Sequence, residues 1–177
     1  GINLNTNFEL SEESLKGQFI FSKPNFNYSE NTLRTSIKAL TTDNLDDFGY
    51  KQSETGVSLG TTYEQYENLF FSPELSLSLE DLETNSSASS NLKKQEGKYE
   101  DFYFNYGLNY DLRDSVYNPT SGSKTSFFQT VPLVSDNNEI ANTFIYTKYK
   151  TINDSSGMVG RVSLYLKGVN TFGDDDV

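Results

Sequence analysis

Phe71-Ser72-Pro73-Glu74-Leu75-Ser76-Leu77-Ser78-Leu79-Glu80 carries the clearest period-two pattern in the chain. Phe71, Leu75, Leu77 and Leu79 fall on one side, and Glu74, Ser76, Ser78 and Glu80 on the other. Successive side chains of a strand point to opposite faces, so this spacing predicts a strand with one apolar face and one wetted face. Glu74 and Glu80 must then face water.

The same alternation returns in both directions from this stretch, with almost no helical periodicity between the runs. Toward the N-terminus, Ile2, Leu4, Thr6, Phe8 and Leu10 oppose Asn3, Asn5, Asn7 and Glu9. Leu15, Gly17, Phe19 and Phe21 then oppose Lys16, Gln18, Ile20 and Ser22, up to a turn at Pro24-Asn25-Phe26 where proline ends the ladder. Leu33, Thr35, Ile37, Ala39 and Thr41 face away from Arg34, Ser36 and Lys38, and an acidic turn runs from Asp43 to Asp47. Val57, Leu59, Thr61 and Tyr63 form the next run. Beyond Glu80, Thr84 to Lys98 is rich in Ser, Asn, Lys and Glu without periodicity, and is expected to be a long flexible loop. Asp101 to Asp114 alternates again, followed by Ser123 to Leu133, Ile140 to Ile152 and Met158 to Phe172.

About nine strands result, each of roughly 9 to 13 residues, the length that crosses a bilayer at a tilt. Strands of a soluble sandwich are usually about 5 to 6 residues, with turns recurring about every 8 to 12. The pattern therefore predicts an all-β, antiparallel up-and-down transmembrane barrel whose apolar face meets lipid and whose polar face lines water. Tyr63, Tyr66, Phe70, Tyr110 and Tyr117 suit aromatic girdles at strand ends, with ordinary sheet packing as the plainer alternative.

An up-and-down order puts the turns near Ser11, Asp46, Asn91 and Asn137 at one end, and those near Asn27, Gln65, Tyr117 and Ser155 at the other. The first set contains the long loop and is expected to lie outside the cell. Nine strands leave two open edges, whereas single-chain bacterial barrels close on even numbers, so further strands are expected beyond this stretch. Gly1 in place of an initiator Met, and an end at Asp174, Asp175, Asp176 and Val177, also suggest an excerpt of a longer chain. Residues 1–177 are thus expected to be part of one barrel domain.

Composition excludes several chemistries. The 177 residues include no His, Cys or Trp, so the usual zinc, haem and iron–sulfur ligand sets and Ser-His-Asp or Cys-His catalysis are out of reach. Asp and Glu number 25 against 14 Lys and Arg, a net charge of −11, with no basic stripe to offset it, which argues against a nucleic-acid partner. No apolar run approaches the roughly 18 to 20 residues of a spanning helix. Leu, Ile, Val and Phe make up roughly a quarter of the chain, above the fraction of about one fifth expected of disordered sequences.

One segment is more specific than alternation. Phe104-Asn105-Tyr106-Gly107-Leu108-Asn109-Tyr110-Asp111-Leu112-Arg113-Asp114 leads into Ser115-Val116-Tyr117-Asn118-Pro119-Thr120-Ser121-Gly122. It reads as a strand, a polar clamp and a tight turn. Pro119 fixes its own φ, Asn118 and Thr120 can bond local backbone, and Gly122 permits a positive φ before the next strand. Arg113 lies between Asp111 and Asp114 and can pair with a carboxylate at the membrane edge.

This segment resembles the bacterial surface-antigen barrels of the BamA family, which carry a similar Y-D-x-R-D … N-P-T-x-G strand and periplasmic turn. Asp111, Arg113, Asp114, Asn118, Pro119, Thr120 and Gly122 match that motif, and are expected to shape the turn. Weaker similarity covers nearly the whole chain, including Lys23-Pro24-Asn25-Phe26. The resemblance implies roughly the third through eleventh strands of an outer-membrane barrel of about 16. It implies periplasmic repeat domains before the barrel, an Arg-Gly-Phe lumen loop just after Val177, and a lateral seam whose first strand precedes Gly1.

The implied function is an assembly factor that accepts unfolded outer-membrane proteins and inserts them into the bacterial outer membrane. Its partners would be those proteins, assembly-complex lipoproteins and outer-membrane lipid, with no cofactor and no bond chemistry. A related translocation or secretion barrel, a passive porin and a soluble β-sandwich binding module are the other readings. Glu74/Glu80 and Asp111/Asp114 are formal carboxylate pairs, expected to be a solvated lumen face. Asp174 to Asp176 lacks the spacing of a calcium loop and reads as an exposed loop start. Asn27-Tyr28-Ser29, Asn85-Ser86-Ser87 and Asn153-Asp154-Ser155 are sequons with meaning only in a eukaryotic secretory pathway.

Overall fold

The computed structural model describes residues 1–135, 138–153 and 155–171. The turn near Asn137, the end of the last run at Phe172, Asp154 of the third sequon and the Asp174–Val177 end lie outside the described residues. Among the described residues nine strands form one antiparallel sheet in sequence order: β1 (Asn3–Leu10), β2 (Ser14–Lys23), β3 (Thr32–Asn44), β4 (Tyr50–Tyr66), β5 (Leu69–Thr84), β6 (Gly97–Asp111), β7 (Gly122–Val134), β8 (Glu139–Asn153) and β9 (Met158–Thr171). β1 and β9 are not paired to each other, so the sheet is unclosed.

The expected faces survive pairing because the register joins like to like. Phe19 stands opposite Ile37, Ile37 opposite Val57, Val57 opposite Leu77, and Leu77 opposite Phe102. The apolar positions therefore form one continuous surface across the wall. A shift of a single residue in any ladder would break it.

The sheet has almost no interior. Leu82 and Ala88 are the buried hydrophobic residues among those described, while Phe8 is 76% exposed and Leu77 41%. An apolar sheet face of this extent, with no second layer over it, requires a non-aqueous neighbour. From Leu69 to Leu79 the outward positions of β5 run about 33 Å along the strand, or about 25 Å in height at a tilt of about 40°, the height of an outer-membrane apolar band.

Five of the nine described strands are longer than the alternation predicts. β4 has 17 residues and β5 has 16. The extra length lies toward the end carrying the 45–49 and 85–96 connections, where Lys51 pairs with Asp43 at 3.1 Å and Lys98 with Asp81 at 3.0 Å on the otherwise apolar face. These ion pairs sit beyond the apolar run, so both faces are polar there and the period-two signal vanishes.

The 85–96 connection departs from the expected flexible loop. It contains a short helix, α1 (Ser90–Lys94), capped by the Ser89 hydroxyl, which accepts from the Leu92 N–H at 3.3 Å. It is also fastened to the neighbouring connection: the Asn85 N–H donates to the Gly49 carbonyl at 2.8 Å, and the Asn85 side-chain amide to the Leu45 carbonyl at 2.7 Å. Gly49 has φ 76 and lies against Ala88, leaving no room for a Cβ. The lengths of the connections also do not separate cleanly by end, since 112–121 at the opposite end is nearly as long as 85–96.

Candidate functional site

The chemistry-bearing residues fall on three surfaces: the turn after β6, the polar face and the apolar face. The turn is built around two carboxylates with separate partners. Arg113 clamps Asp111 in a bidentate pair, Nε to Oδ1 at 2.8 Å and Nη2 to Oδ2 at 2.6 Å, and its Nη1 donates to the Val116 carbonyl at 3.2 Å. The Asp114 carboxylate instead accepts from the Thr120 N–H at 2.9 Å, the Ser121 N–H at 3.1 Å and the Thr120 hydroxyl. Arg113 thus takes the carboxylate at the strand end and leaves the other to organise the loop.

Asn118 enters through its backbone, its N–H donating to the Ser115 hydroxyl at 3.4 Å. Gly122 has φ 92, and a Cβ there would sit 2.0 Å from the Leu112 carbonyl oxygen. The turn is closed by the Leu112 N–H to the Ser123 carbonyl at 2.8 Å, and tied to the β4–β5 turn by the Asp111 N–H to the Asn68 carbonyl at 3.0 Å.

Three hydrogen bonds to its ionised form hold the Asp114 carboxyl at a pKa of about 2, with the Thr120 hydroxyl the largest contributor. A folded-state pKa depressed below the unfolded value contributes stability above the unfolded value, lost as pH falls through the folded one. The turn is therefore expected to keep its geometry at pH 5 and to loosen between about pH 4 and 2. Amide protection factors at Thr120 and Ser121, taken relative to the intrinsic exchange rate at each pH, read it, and Asp114→Asn removes their change with pH. Protection factors that stay flat with pH in the unmodified protein would refute the assignment.

The polar face is a lattice of side-chain hydrogen bonds between neighbouring strands. Ser36 meets Ser58 at 2.7 Å, Thr62 meets Ser72 at 2.8 Å, Asn105 donates to Ser76 at 2.9 Å, and Ser126 to Asn109 at 2.7 Å. Lys38 crosses over Gly56 to pair with Glu54, which also accepts from the Ser78 hydroxyl at 2.9 Å. A Cβ at Gly56 would meet the Lys38 Cε at 2.6 Å, so the lysine would have to shift its path to Glu54. Glu80 accepts from Gln52 at 2.9 Å, whereas Glu74 stands opposite Gly60. Six residues apart on one strand, Glu74 and Glu80 are separated by about 20 Å and do not form an acid–base pair.

On the apolar face Tyr106 is ringed by Phe71, Phe104 and Phe127, with centroids 5.9 to 6.1 Å away, and Phe71 meets Tyr63 edge-on at 5.7 Å. The five residues expected in girdles all lie at the end bearing the 67–68 and 112–121 turns. Phe70 differs from the others: it stands opposite Glu64 and Asn109, so it faces the polar side. Sequence reading also left several polar residues unremarked on the apolar face, Gln129 and Asn142 among them. Gln129 stands opposite Tyr106, and Asn142 opposite Gln129. Counting parity from Phe127 through Ser123 to Leu133 would have found the first.

The model of the Omp85 superfamily domain matches residues 1–177. No curated protein matches the chain in sequence. Among solved structures, the crystal structure of BamA from Haemophilus ducreyi lacking POTRA domains 1-3 is similar, with a TM-score of 0.76 and 22% identity. The match covers 98% of this chain and 36% of that one, so the nine strands span about a third of that molecule.

Proposed function

This chain belongs to the Omp85 superfamily, whose barrels reside in the outer membrane of Gram-negative bacteria, and from that premise we propose that it is part of the wall of a barrel that folds and inserts other β-barrel proteins. The observation that carries this reading is the contrast between the two faces of the sheet. One continuous face is apolar with no protein over it, and the other is a polar lattice suited to a wetted lumen.

Residues 1–177 form part of one barrel domain in this reading, closed by further strands and preceded by periplasmic repeats. The partners are unfolded outer-membrane proteins, membrane lipid and assembly lipoproteins. Strand pairing and transfer of apolar surface into lipid provide the driving force, with no bond made or broken. The motif residues Asp111, Arg113, Asp114, Asn118, Pro119, Thr120 and Gly122 act by holding a turn at the periplasmic rim.

The test is depletion of the full-length protein in its own bacterium. Outer-membrane barrel proteins as a class are expected to fall severalfold in their folded form while their precursors accumulate in the periplasm. Loss of one exported protein, with the barrel proteins unchanged, would instead identify a translocation barrel.

A further inference from the structure

The outward side of the sheet treats its lysines differently at its two ends. At the end bearing the 45–49 and 85–96 connections they are neutralised in place, Lys51 lying 3.1 Å from Asp43 and Lys98 3.0 Å from Asp81. At the opposite end the same side of β8 presents Lys148 and Lys150. Lys148 stands between Ser123 and Val162, and Lys150 opposite Gly160, so no carboxylate faces either across the ladder. Both lysines are exposed, and among the described residues neither makes an ion pair or a side-chain hydrogen bond.

Their place along the strand is specific. Phe144 belongs to the apolar row that joins Phe71, Leu108 and Phe127. Tyr146 belongs to the next row, with Leu69, Tyr110 and Thr125. Lys148 follows about 7 Å further along the strand, and Lys150 about 7 Å beyond that. Phenyl ring, phenol and ammonium thus succeed one another in the order in which a lipid leaflet passes from acyl chain through interface to headgroup. The Ser123 hydroxyl, opposite Lys148, makes no hydrogen bond among the described residues and adds a neutral donor.

We propose that Lys148 and Lys150, with the Ser123 hydroxyl, hold the phosphate of an anionic phospholipid in the leaflet at this end of the wall. Two ammonium groups without a protein counter-ion complement a phosphodiester, to which they donate charge-assisted hydrogen bonds. The continuity of the site with Tyr146 and Phe144 gives the acyl chains an apolar surface to lie on, which selects a lipid over a soluble anion. A phosphatidylethanolamine headgroup would bring its own ammonium to a doubly positive place, whereas phosphatidylglycerol would not. The proposal rests on the reading of this sheet as a membrane wall and adds a headgroup preference at one point of it.

The test uses the full-length protein in vesicles that mix phosphatidylethanolamine and phosphatidylglycerol, with one or the other carrying brominated acyl chains as the quencher. A fluorophore is attached at Thr125→Cys, opposite Tyr146, and separately at Leu69→Cys, whose partners across the ladder are Tyr66 and Tyr110. At Thr125 brominated phosphatidylglycerol is expected to compete for the site about fivefold better than brominated phosphatidylethanolamine, and at Leu69 about equally. Lys148→Gln with Lys150→Gln is expected to abolish the preference at Thr125, and the corresponding pair of arginine substitutions to keep it.

Equal quenching by the two lipids at Thr125 would overturn the proposal while leaving the membrane wall intact. The same preference at both labels would overturn it as well, since the effect would belong to the whole perimeter. A preference that survives the glutamine pair would show that the lysines are not its source. A Thr125 label that neither lipid reaches, beside a quenched Leu69 label, would replace the lipid with a covering protein. Labels unquenched at both places would remove the membrane reading and the proposal with it.

Discussion

Gly122→Val is expected to lower the stability of the full-length protein sharply in detergent and in vesicles. At φ 92 a β-branched side chain is in a backbone region it scarcely visits, and its Cβ would fall 2.0 Å from the Leu112 carbonyl oxygen and 2.8 Å from the Arg113 Cα. Both obstructions are backbone, so no rotamer change relieves them. The penalty is about 3 kcal/mol or more, a large part of the stability of most domains. It is concentrated where β6 turns into β7, so it also disorders the Asp114–Thr120 bonds.

The control is Gly168→Ala, at a strand position with no positive φ, which is expected to fold normally. The comparison is made by denaturant titration of the two variants side by side. A Gly122→Val protein with an unchanged midpoint would show that the turn is not held as described.

The second large effect separates the two faces. Leu77→Arg puts a guanidinium in the middle of the apolar surface, opposite Val57 and Phe102, and is expected to destabilise the bilayer-embedded protein by about 2 to 4 kcal/mol. Gln18→Arg places the same group on the wetted face of β2, and is expected to stay within about 0.5 kcal/mol of the parent. Equilibrium unfolding in lipid measures both. Equal penalties would mean that the two faces are not lipid and water.

Much of this architecture is legible in the residues, and the boundary of legibility is physical. Period-two alternation identifies a strand only where one face is apolar, which is why Phe71 to Glu80 reads cleanly. Tyr50 to Gly56 belongs to the same long β4, yet Lys51, Ser53 and Thr55 alternate with Gln52 and Glu54, and the pattern is silent. Lys51 and Ser53 stand beyond the apolar band, where both sides of the sheet are wet.

The ordered 85–96 connection is invisible for another reason. Its anchor joins Asn85 to Leu45, forty residues away, and no local propensity encodes that. In the turn after β6, Gly122 and the Asp–Arg spacing pointed to a clamp. Which carboxylate the arginine takes depended on Thr120 and Ser121 already occupying Asp114. Gln129 and Asn142 were missed because one polar residue in an apolar set looks like noise until its partners across the ladder are known.

The fastening of the 45–49 connection to the 85–96 connection has a mechanical consequence. Adjacent strands of a sheet can shear or roll past one another most easily at their free ends. Here the outer ends of β3 and β4 are joined by one connection, those of β5 and β6 by the next, and Asn85 binds the two together. Strands β3 to β6 therefore move as one stiff plate, and compliance is displaced to the strands on either side. Breathing of the wall, whatever drives it, is expected to bend around β3–β6 rather than through them.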